Sequence, residues 1–152
     1  LDSIAAVHNL LYQSKSLSSV NFKHYLEEIL SNLDKSFSVA NKKVNIKKSI
    51  EEVHLDVSVA ISLGLIINEM VTNSYKHAFK QTSEGKIEIG LKEKDKSVML
   101  TIKDNGPGYD ASKISDSSVG LDIINGLIKQ IDGDLKYHYN QGSVHEIAFQ
   151  KE

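Results

Sequence analysis

The middle of the chain contains two segments in which apolar and polar residues alternate, KIEIGLKEK (86–94) and SVMLTIKD (97–104). Because successive side chains of a strand point to opposite faces, this alternation predicts a β-hairpin with one apolar face. Three further segments alternate in a similar way and predict strands: KVNIKKSI (43–50), DLKYHYN (134–140) and SVHEIAFQ (143–150). The apolar face of such a sheet has to be covered by other elements of the chain.

Four other segments place apolar residues at the spacing of an amphipathic helix. They are 1–15, 21–37, 57–79 and 119–131. Asn21 and Asp56 stand at the start of the second and third segments and are predicted N-caps. Helices gathered on one face of a mostly antiparallel sheet form an α+β two-layer sandwich, which is the fold we predict.

The composition limits the class of protein. The 152 residues are 40% hydrophobic and 25% charged, as in an ordinary soluble globular domain. A formal net charge of -2 provides no global basic field, so nucleic acid is not expected as the main partner. Because the chain has no cysteine, disulfides and thiolate chemistry are excluded. It begins with Leu1 and shows no signal peptide pattern, so we expect a piece of a longer protein.

The predicted helix over 57–79 has two faces of different character. One face is an apolar stripe made of Leu63, Ile67, Met70, Val71, Ser74 and Ala78. The opposite face carries polar residues at helical spacing: Glu69, Asn73, Lys76 and Lys80, with His77 at the edge. Spacing alone favours an ordinary solvated face. The alternative is a ligand site, since an amide oxygen suits Mg²⁺, an ammonium group suits phosphate, and a carboxylate can act as a base.

A turn-rich loop, DNGPGYD (104–110), follows the second strand of the predicted hairpin directly. Asn-Gly and Pro-Gly pairs are common in ordinary turns. The functional alternative is a pocket in which Gly106 and Gly108 let the backbone close on a flat ligand, while Asp104 accepts a hydrogen bond from an exocyclic amine. The loop fits neither a Walker A motif nor a dinucleotide-binding fingerprint.

Two more glycine elements follow, and each also has a plain structural interpretation. SSVGLDII (117–124) opens a predicted helix, so Gly120 belongs either to a simple N-terminal cap or to a phosphate site at the positive helix end. QGSVHEIAF (141–149) places a turn at the entrance of a strand.

Taken in order, the polar helix and the three glycine elements resemble the N box and the three glycine boxes of the GHKL ATPases. The four matching stretches are NEMVTNSYKHAF (68–79), DNGPGYD (104–110), SVGLDII (118–124) and QGSVHEIAF (141–149). This superfamily includes histidine kinases, gyrase-type topoisomerases, MutL proteins and a heat-shock chaperone, and it has the Bergerat-type ATP-binding fold. Residues 1–33 resemble the stretch between dimerisation helix and catalytic domain in non-orthodox sensor histidine kinases.

The resemblance implies a role for each matching residue on the phosphate side. Asn73 matches the asparagine that holds Mg²⁺, and Glu69 matches the acidic residue that acts as a base toward the acceptor histidine. The positions expected to face the phosphates are Lys76, His77, Gly120 and Leu121.

On the adenine side, Asp104 matches the aspartate that recognises the base. Gly106 and Gly108 match the glycines that shape the adenine pocket. Ser143 matches a hydroxyl that supports adenine through water. ATP and Mg²⁺ are therefore the expected ligands.

Two departures assign the chain to a group related to the HWE kinases and distinct from the orthodox ones. The chain contains no tryptophan, so the Trp-x-Glu signature of the HWE subfamily is absent, although the helix-box histidine is present as His77. There is no phenylalanine between Gly108 and Gly120, so the F box of orthodox kinases is missing and a short ATP lid is expected.

The expected protein is the catalytic part of a two-component sensor histidine kinase. Residues 1–20 would end the dimerisation region and 21–152 would form the ATP-binding domain. The γ-phosphoryl would go to a histidine on an upstream helix outside this chain, with His8 a structural residue. The expected partners are that helix, a response regulator and, for the full-length protein, a second copy, with no membrane contact from this fragment. We expect a cytoplasmic location, with or without a membrane anchor elsewhere. Alternatives are an anti-sigma-factor-like serine kinase, a nucleotide-binding module without transfer activity, or a purely structural domain.

Overall fold

The computed structural model describes residues 19–37, 43–78, 84–107 and 119–151. The predicted helix over 1–15, together with Phe79, Lys80, Gly108 and the expected lid, lies outside these ranges. The helices described are α1 (Phe22–Phe37), α2 (Val57–Asn73), a π-helical turn (Ser74–Ala78) and α3 (Val119–Gln130). The strands are β1 (Val20–Asn21), β2 (Lys43–Ile50), β3 (His54–Leu55), β4 (Glu84–Lys94), β5 (Ser97–Asp104), β6 (Asp134–Tyr139) and β7 (Ser143–Gln150).

Five strands form one mixed sheet in the order β2-β4-β5-β7-β6. β2 runs parallel to β4, and the other neighbours are antiparallel. This arrangement confirms the predicted α+β sandwich and its mostly antiparallel sheet. A separate pairing of β1 with β3 joins Val20 to Leu55 and Asn21 to His54. The sequence did not predict this pairing because two-residue strands are too short to show a period.

The apolar face of the sheet consists of every second residue of its central strands. Each of these side chains is buried: Ile87, Ile89, Leu91, Val98, Leu100, Ile102, Ile147 and Phe149. α1, α2 and α3 contribute most of the rest of the same core through their apolar stripes. Because side chains alternate along a strand, the residue after Ile102 on this inner face is Asp104. The sheet therefore places one carboxylate at the end of an otherwise apolar row.

The predicted helix starts have different chemistry. Asn21 precedes α1, and its Oδ1 accepts a hydrogen bond of 3.4 Å from the backbone amide of His24, as an N-cap does. Asp56 precedes α2, but its side chain forms no capping hydrogen bond within the described part of the chain. Asp56 therefore has the predicted position at the start of α2 but does not make the hydrogen bond of an N-cap.

Helix α2 passes close to α1 because Gly64 has no side chain. A Cβ atom at this position would lie 2.6 Å from the ring of Tyr25, which is completely buried. With the turn that follows it, α2 is also long and apolar enough, by length and composition, to cross a membrane (Val57–Lys76). Half of this stretch is buried in the protein, and the buried residues of α2 belong to the shared core, as expected for a core helix.

The hydroxyl of Tyr25 is buried and has no hydrogen-bond partner among the described residues. Burial raises the pKa of this phenol to about 12, and the charge of Glu28 adds to the effect. Since an unpaired buried hydroxyl costs free energy, we expect Tyr25→Phe to increase the free energy of unfolding by about 1 kcal/mol. Urea denaturation measures this change, and a decrease in stability would show that the hydroxyl has a stabilising partner.

Candidate functional site

Asp104 is the centre of a polar cluster at the end of β5. Its Oδ2 accepts a hydrogen bond of 2.7 Å from Ser74 Oγ, and its Oδ1 accepts one of 2.9 Å from the amide of Gly106. The carboxylate is partly exposed. An ionised carboxylate has about four acceptor positions, so each oxygen retains capacity for a ligand donor after these two bonds. The carboxylate is thus held in a defined orientation and can still accept hydrogen bonds from a ligand.

Ser74 connects this cluster to the end of α2. The apolar stripe of α2 predicted a core position for Ser74, and the residue is buried, with 6% of its surface exposed. Its hydroxyl nevertheless makes a polar contact with Asp104 and also lies 3.3 Å from the carbonyl oxygen of Met70. Ser74 was not predicted as a site residue, although a hydroxyl within an apolar stripe was a signal that could have identified it.

The long helix changes its geometry at the cluster. The sequence predicted one helix over 57–79, but the α-helix ends at Asn73 and a π-helical turn covers Ser74–Ala78. Such turns widen the helix by one residue and are frequent at functional sites. No sequence periodicity indicates the turn, because its geometry depends on contacts with other elements.

The polar residues predicted on this helix lie on both sides of the transition. Glu69 and Asn73 are half-buried on the last turn of α2, and Lys76 is exposed in the π-helical turn. His77 belongs to the same turn, and its side chain lies outside the described part of the structure. The polar face and the Asp104 cluster are adjacent along the chain, because Asn73 directly precedes Ser74, whose hydroxyl is hydrogen-bonded to Asp104.

The start of the glycine loop is held by Asn105. Its backbone amide donates a hydrogen bond of 3.1 Å to the carbonyl oxygen of Lys86, and its Oδ1 accepts one of 2.8 Å from the backbone amide of Lys86. Its Nδ2 donates a third, of 3.3 Å, to the carbonyl oxygen of Glu84. These three bonds attach the loop to the beginning of β4. The Asn-Gly pair predicted a turn, but the clamp could not be predicted because its partners are about twenty residues away.

The turn between β6 and β7 packs directly against the same loop. Gly142 has a φ of 144°, and a Cβ atom there would overlap the carbonyl oxygen of Asp104 and lie 2.9 Å from Cα of Asn105. Only glycine fits this approach. The sequence predicted only a turn at Gly142. Its close approach to the backbone of Asp104 was not predicted.

The beginning of β7 adds further polar groups on the inner face of the sheet. β5 and β7 pair Lys103 with Val144, which brings the ends of the two strands together beside Asp104. Ser143 is buried, and its hydroxyl lies 3.5 Å from the hydroxyl of Tyr137. Ser143, predicted to support adenine, thus belongs to the same end of the sheet as the aspartate.

His145 is next on this inner face, and its ring lies 4.9 Å from the ring of Tyr137. Burial lowers the pKa of His145 below its usual value, although the negative charge of Asp104 acts in the opposite direction. The imidazole is therefore neutral at pH 7, and the site does not gain a positive charge from it. His145 was not predicted as a site residue.

The remaining predicted residues are at the start of α3. Gly120 and Leu121 are the second and third residues of this helix, and α3 packs beside α2. Leu121 is half-buried. No hydrogen bond joins these two residues to the Asp104 cluster in the described ranges, and Gly108 lies outside them. The phosphate role of Gly120 and Leu121 stays a prediction.

The donor set of this region suits an adenine nucleotide with a hydrated metal ion. Asp104 can accept from an exocyclic amine, and the oxygens of Asn73 and Glu69 are of the kind that Mg²⁺ binds while it keeps several waters. The exposed ammonium group of Lys76 can bind phosphate as a point charge.

Comparison with known proteins gives two family matches. Residues 58–152 match the family described as "Histidine kinase-, DNA gyrase B-, and HSP90-like ATPase", and residues 1–37 match a family described as "Histidine kinase". The first match covers more than half of the chain.

Individual proteins agree with these families. The sensor histidine kinase PdtaS of Mycobacterium tuberculosis is 29% identical over 139 residues, which are 89% of this chain and 27% of that protein. The serine-protein kinase RsbW of Listeria innocua is 30% identical over 92 residues, or 53% of this chain and 59% of that protein. The chain thus spans about a quarter of the length of the mycobacterial relative.

Among solved structures, the histidine kinase domain of the blue-light activated histidine kinase from Erythrobacter litoralis has the same fold. Its TM-score is 0.85 at 18% identity, and the match covers 98% of this chain and 71% of that one. The chain therefore belongs to the family of histidine kinase-, DNA gyrase B- and HSP90-like ATPases and resembles the sensor histidine kinases within it, as its four sequence boxes predicted.

Proposed function

We propose that this chain is the ATP-binding catalytic domain of a two-component sensor histidine kinase. It would bind Mg²⁺-ATP and transfer the γ-phosphoryl group to a histidine on a helix upstream of residue 1. The observation that carries this proposal is the Asp104 carboxylate, which Ser74 and Gly106 orient at the end of the sheet, in a chain whose residues 58–152 match an ATPase family.

Asp104 would recognise adenine by accepting a hydrogen bond from its exocyclic amine. A carboxylate oxygen accepts hydrogen bonds and donates none. Guanine carries a carbonyl oxygen where adenine carries the amine, so an acceptor would face an acceptor. The negative charge and fixed orientation of Asp104 thus select adenine over guanine. Ser143 would support the base through water.

The phosphates would lie along the polar face of α2 and the π-helical turn. Asn73 would hold Mg²⁺ through its amide oxygen, while Lys76 and His77 would bind phosphate oxygens. Backbone amides of Gly120 and Leu121 would bind phosphate at the positive end of α3. When bound, Mg²⁺ neutralises part of the phosphate charge. These residues mainly orient the phosphates and stabilise negative charge during transfer.

Glu69 lies one helical turn before Asn73, and both are half-buried. A carboxylate at this position would accept the proton that the acceptor imidazole loses as its nitrogen attacks phosphorus. Glu69 is thus the proposed general base, and it would act only when the acceptor helix is docked beside α2.

A serine kinase is the second candidate, because the Listeria relative is a serine-protein kinase. That match covers only 53% of this chain. The mycobacterial sensor kinase matches 89% of it, and residues 1–37 match a histidine kinase family. These matches favour histidine as the acceptor. We also propose that the full-length kinase is a cytoplasmic dimer and passes its phosphoryl group to a response regulator.

Calorimetric titration of the chain tests nucleotide binding. We expect Mg²⁺-ATP to bind at least about fivefold more tightly than Mg²⁺-GTP, since one unpaired polar contact at a base costs about 1–3 kcal/mol. Equal affinity for both would contradict the adenine role of Asp104, and no binding of either would contradict the proposed function.

The acceptor is identified with the full-length protein and labelled ATP. A phosphohistidine has a P–N bond that is labile in acid and stable in alkali, whereas phosphoserine has the opposite stability. We expect acid-labile label on the full-length protein and none on residues 1–152 alone. Acid-stable label on a partner protein would instead identify a serine kinase.

A further inference from the structure

Tyr75 links the π-helical turn to α1. Its hydroxyl donates a hydrogen bond of 3.1 Å to Oδ1 of Asp34. Its ring stacks on Phe37, with ring centroids 5.2 Å apart and planes 13° apart. Asp34 and Phe37 lie at the C-terminal end of α1, so one side chain joins two helices by a polar and an aromatic contact.

The position of Tyr75 in the chain gives this link its importance. Tyr75 follows Ser74, which is bonded to Asp104, and precedes Lys76, which is exposed. A π-helical turn is a rare geometry that occurs mostly as a single turn in an α-helix, so contacts outside the helix are expected to hold it in place. Ser74 anchors the turn to the sheet on one side, and Tyr75 anchors it to α1 on another.

The phenol remains a donor over the whole physiological pH range. Burial raises the pKa of Tyr75, and the charge of Asp34 and the hydrogen bond between them raise it further. The bond joins a neutral donor to a carboxylate and is therefore stronger than a bond between two neutral groups.

We propose that Tyr75 is a positioning residue for the phosphate end of the nucleotide. Through Asp34 and Phe37 it holds the π-helical turn, so that Lys76 faces the phosphates in a fixed place. The proposal rests on the function proposed above. It also gives the end of α1 a supporting role at the nucleotide site, through the contacts of Asp34 and Phe37 with Tyr75.

The test compares nucleotides that differ only in their number of phosphates. Tyr75→Phe keeps the aromatic stack and removes only the hydroxyl. We expect it to weaken binding of Mg²⁺-ATP about threefold to tenfold, the effect of one hydrogen bond, and to leave AMP binding unchanged because the Asp104 cluster is intact. A purely structural role would weaken both nucleotides by the same factor, and that result would overturn the proposal.

The partner is tested by a double-mutant cycle. Asp34→Ala should reproduce the loss, whereas Asp34→Asn keeps an acceptor oxygen without the charge and should lose less ATP affinity than Asp34→Ala. The double variant with Tyr75→Phe should be no weaker than either loss variant alone, since both remove the same bond. Additive losses would overturn the proposed pairing.

Tyr25→Phe is the matched control, because it removes a tyrosine hydroxyl from the same helical layer that bonds to no described residue. It should bind ATP and AMP unchanged. If the unaltered chain binds no ATP, the proposed function fails. If the unaltered chain binds ATP and Tyr75→Phe binds it with the same affinity, only the role of Tyr75 is refuted.

Discussion

Replacing Asp104 with asparagine should reduce ATP affinity about 100-fold or more while the chain stays folded. The substitution preserves shape but turns one acceptor oxygen into an amide donor and removes the negative charge. A lost hydrogen bond to a charged group costs about 1.5–3 kcal/mol, and an amide facing the adenine amine adds a penalty of about 1–3 kcal/mol. Titration calorimetry with Mg²⁺-ATP measures the loss.

The chain should stay folded in Asp104→Asn because the neighbouring Ser74 hydroxyl can reorient its hydrogen. The hydroxyl of Ser74 can accept from the new amide and donate to the Met70 carbonyl, which is 3.3 Å away. Asp132→Asn is the matched control: it changes the same residue type in the turn before β6, where a positive φ of 53° also suits asparagine. Retained ATP affinity in Asp104→Asn would refute the assignment of Asp104 to adenine.

Replacing Gly142 with alanine should lower the free energy of unfolding by at least about 2 kcal/mol. The new methyl group would overlap the Asp104 carbonyl oxygen at a φ of 144°. Overpacking and backbone strain each cost about 1–3 kcal/mol. Urea denaturation measures the change. Because relief of the overlap would displace the backbone of Asp104, ATP binding should weaken as well.

Gly126→Ala is the control for Gly142→Ala, with the opposite expected sign. Gly126 is exposed inside α3, and a Cβ atom there would meet nothing within 4 Å among the described atoms. Alanine should therefore stabilise the helix by about 0.5–1 kcal/mol. If Gly142→Ala changed the free energy of unfolding as little as Gly126→Ala, the turn between β6 and β7 would not lie close enough to Asp104 and Asn105 to exclude a methyl group.

Much of the fold could be predicted from local patterns. The period of two in β4, β5 and β7 placed their apolar residues on one face, and the helical spacing in α1, α2 and α3 gave the layer that covers it. Asp104 and Gly106 could be singled out because their motif is contiguous. Asn105 and His145 could not, since the residues that they interact with are more than fifteen positions away. Ser74 stood out as a hydroxyl in an apolar stripe, but its partner Asp104 is 30 positions away and could not be predicted.

The sequence by itself determined the fold class, the three helices, the five strands of the main sheet, and the residues that resemble the boxes of this ATPase family. These features depend on hydrophobic periodicity and contiguous motifs, which are local properties of the chain. Tertiary structure alone decided the π-helical turn, the hydroxyl that orients Asp104, the approach of Gly142 to the loop and the anchoring of Tyr75 on α1. Each of these depends on the geometry between distant segments, which packing determines and which no local pattern encodes.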